Sequence, residues 1–192
     1  MNYILLAISW IVFYALHSIL AASKLKKIME GKLGMAYKWY RLAYSLISLV
    51  LFMGIMIQAL LIPKTVLIPK SDLTDYLGYM LAGFGTIIAM KSGKSYSLSQ
   101  FFGFTPVAKR AQELVISGLY ARVRHPLYAG LVLIFVGYFL FAGTLSAAIH
   151  LGCLVLYLPI GIYFEEKNLV IQFGEAYLRY RKEVPVIIPK FW

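Results

Sequence analysis

The sequence predicts an all-α membrane protein, a polytopic helical bundle with about five transmembrane segments. The chain has 192 residues, of which 61% are hydrophobic and only 14% are charged. Its mean hydropathy is +0.76. A soluble domain of this size cannot bury that much apolar surface, so lipid must be the solvent for much of the chain. The apolar residues also fall in long uncharged runs separated by basic segments, as expected for a chain that crosses a bilayer several times.

Three apolar runs in the first half predict three transmembrane helices. They cover residues 2–22, 39–62 and 73–89, and each is long enough for a hydrocarbon core of about 30 Å. Small residues recur along the third run at three- and four-residue spacing, which predicts close approach by another helix. They are Gly78, Ala82, Gly85 and Ala89. His17 interrupts the first run. We expect it to be hydrogen-bonded to a neighbouring helix, although an ionisable group inside a membrane is also a candidate for function.

A helical hairpin is predicted in the second half. Residues 127–164 contain no Asp, Glu, Lys or Arg over 38 positions, which is too long for one helix across a bilayer. The turn is expected within residues 141–146. The first arm is then about 16 residues, or roughly 24 Å at 1.5 Å per residue, so we expect it to tilt or to pack inside protein. Polar residues from Glu165 predict a further helical stretch to about Lys182, broken at Gly174.

The distribution of basic residues predicts the orientation. Residues 22–41 and 91–126 hold six Lys or Arg each and the tail from Glu165 holds five, whereas residues 63–72 hold two. With five membrane segments the three basic regions share one side, which the positive-inside rule makes the cytoplasmic side. We therefore expect the N-terminus outside and the C-terminus in the cytoplasm.

Charge and cysteine content exclude several classes of protein. The net charge is +11, but the basic residues lie beside apolar spans, which suits anionic lipid and not nucleic acid. The single cysteine excludes a disulfide framework, and the three histidines are too scattered to indicate a metal site. We expect one membrane domain over residues 1–192, with three helices in residues 1–90 and a cytoplasmic loop, a helical hairpin and a C-terminal helix in residues 91–192.

The stretch 112–128, QELVISGLYARVRHPLY, is the polar interruption on which a functional interpretation rests. Gly118 breaks any helix begun upstream of it. Pro126 favours an extended His125 and suits the first turn of a new helix. The free N–H groups at the start of that helix are expected to point at Arg124 and His125 and to attract an anion.

Two glutamates form the second half of the predicted site. Glu165 and Glu166 follow the hairpin, whose topology returns them to the same side as His125. Adjacent residues on a helix point about 100° apart, so at most one of the two should face a shared pocket, and the face of Glu165 is the more polar. A simpler interpretation is a belt of basic residues at the interface, with lipid-facing tyrosines and two solvated glutamates.

Three segments resemble the isoprenylcysteine carboxyl methyltransferase family of integral membrane enzymes. They are LVISGLYARVRHPLYAG, the EEKNL that follows the hairpin, and FGEAYLRYRKEVPVIIP, all within residues 112–189. The resemblance implies a bundle of five to eight helices with a cytoplasmic pocket for S-adenosylmethionine, and a lipid-like acceptor that enters from the bilayer. The residues that it implies as cofactor-binding are Gln112, Leu114, Val115, Tyr120, His125, Pro126, Leu127, Tyr128 and Glu165.

The same resemblance implies methyl transfer to a lipophilic acceptor similar to an isoprenylcysteine carboxylate. Glu165 and Arg124 are the residues we expect to be catalytic, Glu165 because a carboxylate stabilises a sulfonium cation. The eukaryotic family members have an arginine about four residues before this glutamate, where the chain has Gly161. Arg41, Arg122 and Arg124 are the candidates to replace that arginine. The end of the first span, YALHSILAASK, resembles bacterial and archaeal relatives, which implies a prokaryotic inner-membrane protein.

Other functions stay open at this point. The segment YLPIGIYFEEKNL resembles the related membrane thiol S-methyltransferases, and a phospholipid amine is a third possible acceptor. Sterol reductases, which use NADPH, have a similar C-terminal half, so a membrane reductase is an alternative from another class. A non-catalytic membrane protein is the last alternative.

Overall fold

The computed structural model describes residues 1–93 and 113–190, and throughout these ranges the chain is helical or irregular. The seven α-helices of the described residues are α1 (Asn2–Ala21), α2 (Ser23–Leu33), α3 (Tyr40–Leu61), α4 (Asp72–Ser92), α5 (Pro126–Ala142), α6 (Leu145–Phe173) and α7 (Glu175–Glu183). Short 3-10 turns cover Gly34–Trp39 and Gly118–Ala121.

The predicted membrane architecture is confirmed. Four of these helices, α1, α3, α4 and α6, are long and apolar enough to cross a bilayer, and α5 is a shorter apolar helix of 17 residues. The chain is therefore an integral membrane protein. Helices α5 and α6 form the predicted hairpin, with its turn at Gly143 and Thr144.

The basic segment 22–41 lies between the first two apolar runs of the sequence. Most of it is helical, because α2 consists of residues with good helix propensity such as Leu, Lys, Met and Glu. Gly34 ends this helix with a φ of +50°, a backbone conformation that favours glycine. Lys26 of α2 lies over the ring of Tyr44 at 5.6 Å, which anchors the helix to α3.

By internal contacts, the described residues fall into two compact units, residues 1–65 and residues 66–93 with 113–190. The core of the first unit is aromatic: buried Trp10 stacks on Tyr14 with ring centroids 5.2 Å apart. One turn further along α1, the Nδ1 atom of His17 lies 2.8 Å from the Ser48 hydroxyl of α3. His17 is thus a hydrogen-bonded histidine between two helices, as predicted.

The second unit is built on very close packing between α4 and α5. A Cβ atom added to Gly85 would lie 2.5 Å from the Gly130 carbonyl oxygen, and one added to Gly137 would lie 2.5 Å from the Gly78 oxygen. Such distances mean that the two backbones touch, which small residues allow in membranes. Ala82 and Ala89 complete the contact, so the predicted small-residue face of α4 is confirmed.

The turn between α5 and α6 is held from both sides. Gly143 ends α5 with a φ of +61°, and its carbonyl oxygen accepts hydrogen bonds from the backbone N–H groups of Leu67 at 2.7 Å and Ile68 at 3.1 Å. The Thr144 side chain then accepts from the N–H of Ala147 and caps α6. This fixed turn determines where the far ends of α5 and α6, which carry the predicted site, meet.

The contact between α4 and α5 predicts opposite effects of two alanine substitutions in α4. Gly85→Ala forces the α5 backbone away, so we expect a loss of about 1–3 kcal/mol of unfolding free energy. Gly83→Ala meets no atom within 4 Å and should be neutral or slightly stabilising, because alanine favours the helix. Thermal unfolding of both variants in one detergent checks this. An equal melting temperature for the two would contradict the packing described.

Candidate functional site

The site forms where the loop before α5 meets the end of α6, and all its parts belong to the second unit. Gly118 turns the chain with a φ of +64°, and the 3-10 turn that follows leads to Arg124. Pro126 occupies the first turn of α5, as predicted, and is fully buried together with its neighbour His125. The result is a rigid corner that holds Arg124 and His125 against α6.

Arg124 and Glu166 form a buried ion pair. The Nε and Nη2 atoms of Arg124 both lie 2.8 Å from the Oε1 atom of Glu166, and the exposed fractions of the two side chains are 9% and 13%. Arg181 of α7 approaches the other carboxylate oxygen at 3.7 Å. Removing one partner from such a pair is costly, because the other charge is then left buried and uncompensated.

His125 contacts both glutamates. Its Nε2 atom lies 3.2 Å from Oε1 of Glu166, and its Nδ1 atom lies 3.6 Å from Oε2 of Glu165. Both glutamates therefore contact one imidazole ring, while only Glu165 is substantially exposed. The imidazole ring is inserted beside the helix and has a nitrogen on each side, so it reaches two carboxylates that leave the helix in different directions.

The accessible side of the site is formed by Glu165 and two tyrosines. The Glu165 side chain is 45% exposed, against 13% for Glu166. Tyr128 stacks on His125 with ring centroids 5.6 Å apart, and its hydroxyl lies near both Glu165 and Tyr157. Glu165 thus sits in a partly open position next to aromatic rings.

Helix α7 closes the opposite side with two buried tyrosines. The Tyr180 hydroxyl donates to the Tyr120 carbonyl oxygen at 2.7 Å, and burial raises the pKa of Tyr180 to about 12 against the opposing charge of Arg124. Tyr177 is only 1% exposed, and within residues 1–93 and 113–190 its hydroxyl has no partner at hydrogen-bond distance. Burial, reinforced by the nearby Glu166 carboxylate, raises the pKa of Tyr177 well above its usual range.

The structure brings together most of the residues predicted from the sequence. Arg124, His125, Tyr128 and Glu165 meet at the corner, where Pro126 is buried. Tyr120 lies at its edge, its hydroxyl 3.3 Å from the Ser92 carbonyl oxygen, and Leu127 is half-buried in the first turn of α5.

The remaining predicted residues lie further out or beyond the described ranges. Leu114 and Val115 lie on the irregular stretch before the 3-10 turn, where Val115 is 39% exposed. Arg122 is exposed on the same loop. Gln112, and the side chain of Arg41, lie outside the described part of the chain.

Sequence reasoning missed the part of the site that comes from α7 and the tail. Arg124 binds backbone carbonyl groups there, and no residue type signals a carbonyl group. The spacing of Tyr177, Tyr180 and Arg181 does predict a common surface, because residues three and four apart on a helix share one face. That face of α7 covers the ion pair.

The fold and the site together define a class of protein, an integral membrane enzyme with a buried cluster of ionisable side chains where its last hairpin ends. A model of the phospholipid methyltransferase family matches residues 73–176. This match covers more than half of the chain and includes the whole hairpin, the corner and both glutamates. The chain belongs to this family of membrane methyltransferases.

Individual relatives are similar over parts or most of the chain. Methanethiol S-methyltransferase 2 of Bradyrhizobium diazoefficiens is 27% identical and covers 94% of this chain and 71% of its own length. Methanethiol S-methyltransferase of Crocosphaera subtropica is 31% identical over 58% of this chain and 46% of its own. Protein-S-isoprenylcysteine O-methyltransferase of Schizosaccharomyces pombe is 34% identical over 60% of this chain and 49% of its own. No solved structure gives a significant match.

The two buried tyrosines of α7 predict different responses to loss of a hydroxyl group. Tyr180→Phe leaves the Tyr120 carbonyl group without its donor, so we expect a loss of about 1 kcal/mol of unfolding free energy. Tyr177→Phe removes a buried hydroxyl that has no partner, so it should leave stability unchanged or raise it. Thermal unfolding of the two variants is the measurement. A larger loss in Tyr177→Phe than in Tyr180→Phe would show that the cluster is arranged differently.

Proposed function

We propose that the chain is an S-adenosylmethionine-dependent methyltransferase whose cofactor site is the corner formed by His125, Pro126 and Tyr128 together with Glu165. The observation that supports this most strongly is the different state of the two adjacent glutamates. Glu166 is neutralised by Arg124 inside the protein, whereas Glu165 is 45% exposed beside aromatic rings. A carboxylate in that position suits a cationic ligand.

The residues present fit this cofactor. Glu165 would hold the positively charged sulfonium, and the face of Tyr128 is a suitable neighbour for a cation. The first-turn N–H groups of α5, beside His125, would donate hydrogen bonds to the carboxylate group of the cofactor. Leu114, Val115 and Tyr120, with Gln112, would line the remainder of the site.

The bound cofactor would supply the methyl group to a deprotonated acceptor: a thiol would first release its proton to water, and the lone pair of the thiolate or carboxylate would then bond to the methyl carbon as the carbon–sulfur bond breaks and its electron pair stays on sulfur. The protein aligns the acceptor and excludes water, and the reaction needs no covalent enzyme intermediate. The Nδ1 atom of His125 lies 3.6 Å from the Glu165 carboxylate, so the imidazole ring borders the group that would meet the cofactor.

A thiol is the acceptor that the geometry favours. A Cβ atom added to Gly161 would lie 3.1 Å from the ring of Tyr157, so the Tyr157 ring fills the space where a longer side chain would project. The guanidinium of Arg124 is occupied by Glu166 and by the tail. The acceptor side is therefore neutral and aromatic, which suits a thiol and not a carboxylate that needs a cation.

The carboxylate of an isoprenylcysteine is the second candidate acceptor. It is supported by the Schizosaccharomyces pombe relative, which is 34% identical. The thiol has the broader support, because the Bradyrhizobium relative named for methanethiol covers 94% of this chain. A phospholipid amine is the third candidate, supported by the name of the family model.

The membrane orientation belongs to the same proposal. We infer that the site faces the cytoplasm of a prokaryotic cell, with the N-terminus outside, because the basic residues of α2, of the loop before α5 and of the tail would then share the cytoplasmic side. The proposed single domain has its catalytic half in residues 91–192. Fusion of a reporter enzyme to each terminus tests the orientation.

The charge of Glu165 can be tested through two ligands that differ in one charge. We expect Glu165→Gln to weaken S-adenosylmethionine binding by about 10- to 100-fold, the loss of one charged contact. S-Adenosylhomocysteine has a neutral sulfur, so its affinity should fall much less. Calorimetric titration of both ligands in detergent gives the ratio of their dissociation constants. His125→Ala should weaken the binding of both ligands.

Glu175→Gln is the matched control, because Glu175 is exposed at the start of α7. It should leave both affinities unchanged. Equal weakening of the two ligands by Glu165→Gln would contradict the sulfonium contact. Binding of NADPH in place of either ligand would instead support the reductase alternative.

The acceptor side predicts a separate effect for Gly161→Ala. The new methyl group displaces the ring of Tyr157, so we expect KM for the acceptor to change several-fold while the affinity for S-adenosylmethionine stays the same. Gly152→Ala, in open space on the same helix, is the control. Transfer of a labelled methyl group to methanethiol, a prenylcysteine and a phospholipid amine measures both the preferred acceptor and the change. An unchanged acceptor KM would exclude Tyr157 from the acceptor side.

A further inference from the structure

The guanidinium group of Arg124 joins three parts of the second unit. Two of its nitrogens bind Glu166 near the end of α6. Its Nη1 atom donates to the carbonyl oxygen of Arg181 at 2.9 Å and to that of Val184. These two carbonyl groups lie at the C-terminal end of α7, where the helix leaves them without a partner. Arg124 therefore caps α7 while it neutralises Glu166.

The backbone of the same corner pairs with the tail. The N–H of Arg124 donates to the Pro185 carbonyl oxygen at 2.8 Å, and the N–H of His125 donates to that of Val186 at 3.0 Å. Residues 184–186 thus lie along the corner as a short extended segment, which we call the strap. The strap receives three hydrogen bonds from Arg124 and His125.

We propose that the strap is part of the binding machinery of the enzyme and that Arg124 is its positioning residue. The proposal rests on the proposed function, because it states what holds the cofactor site in shape. Arg124 itself does not contact the cofactor in the proposed site. It acts by fixing the backbone of His125 against the strap and by keeping Glu166 occupied, so that Glu165 is the carboxylate left for the cofactor.

The physical reason lies in the number of groups that depend on one side chain. Without Arg124, Glu166 would keep a buried charge with His125 and the more distant Arg181 as its nearest side-chain partners. The His125 ring would then be drawn to Glu166 and away from Glu165. Without the strap, the N–H groups of Arg124 and His125 would lose their acceptors and the corner would be free to move. Both changes act on the same residue, His125, so their effects should overlap.

Two truncations of the tail and two substitutions in the full-length chain test this proposal. Ending the chain after Glu183 removes the strap, whereas ending it after Ile187 keeps every hydrogen-bonded residue. Arg124→Lys keeps the charge but loses the forked geometry, and Arg179→Lys is the control on an exposed arginine of α7. Titration with S-adenosylhomocysteine, methyl-transfer kinetics and thermal unfolding are measured for each.

We expect truncation after Glu183 and Arg124→Lys each to weaken S-adenosylhomocysteine binding by about tenfold or more, as is typical when groups that orient a binding residue are lost. The protein that carries both changes should bind S-adenosylhomocysteine only slightly more weakly than the protein with either change alone. Truncation after Ile187 and Arg179→Lys should bind as the wild type does. The proposal would be overturned if Arg124→Lys and the protein truncated after Glu183 both remained folded at the assay temperature and bound S-adenosylhomocysteine within twofold of the wild type.

Hydrogen exchange separates this result from a failure of the proposed function. The strap predicts slow exchange of the Arg124 and His125 N–H groups in the wild type without any ligand, and fast exchange after truncation at Glu183. If the wild type does not bind S-adenosylhomocysteine, the proposed function fails, and the exchange result alone then decides whether the strap holds the corner. Equal exchange in the wild type and the truncated protein would overturn the strap.

Discussion

The ion pair between Arg124 and Glu166 is the interaction on which the rest of the site depends. It connects the loop before α5 to the end of α6, and through the carbonyl groups of Arg181 and Val184 it also fixes the end of α7. A pair that is 9% and 13% exposed is isolated from most competing water, so its geometry is strongly enforced. The neighbouring side chains take positions that follow from this one contact.

One consequence is that two chemically identical neighbours acquire different roles. Glu165 and Glu166 are adjacent in sequence, yet one is enclosed by Arg124 and the other is partly open. His125 lies between them with a nitrogen toward each. The buried pair keeps the corner rigid, and the open carboxylate is available for a cationic ligand. A binding site needs such a division, because a group that moves to meet a ligand loses affinity through the cost of ordering it.

The architecture was largely predictable because hydrophobic length and charge placement decide it. The uncharged run over 127–164 predicted the hairpin, and the small residues of α4 predicted the backbone contact with α5, since a helix interface in lipid needs close approach. Pro126 predicted the start of α5. The helical form of the segment 22–41 was not predicted. The basic residues of this segment indicate membrane topology, whereas α2 follows from helix propensity.

The grouping of the candidate-site residues was predictable, and their contacts were less so. Side-chain chemistry predicted that Arg124, His125 and Glu165 lie together, but the pairing of Arg124 with Glu166 depends on the rotation of α6, which no pattern of residue types specifies. The strap could not be predicted from the sequence either, because its hydrogen bonds are accepted by backbone carbonyl groups. Backbone acceptors are present at every residue, so only the folded chain shows which of them are used.

A structure of the protein with S-adenosylhomocysteine bound is the measurement that tests the central claim most directly. The account predicts that the sulfur atom lies within about 6 Å of the Glu165 carboxylate, the range over which a charge acts strongly on a neighbour. Arg124 should still bind Glu166 and the strap in that structure. A ligand bound away from this corner, or one whose carboxylate is held by Arg124 after the ion pair has opened, would contradict it.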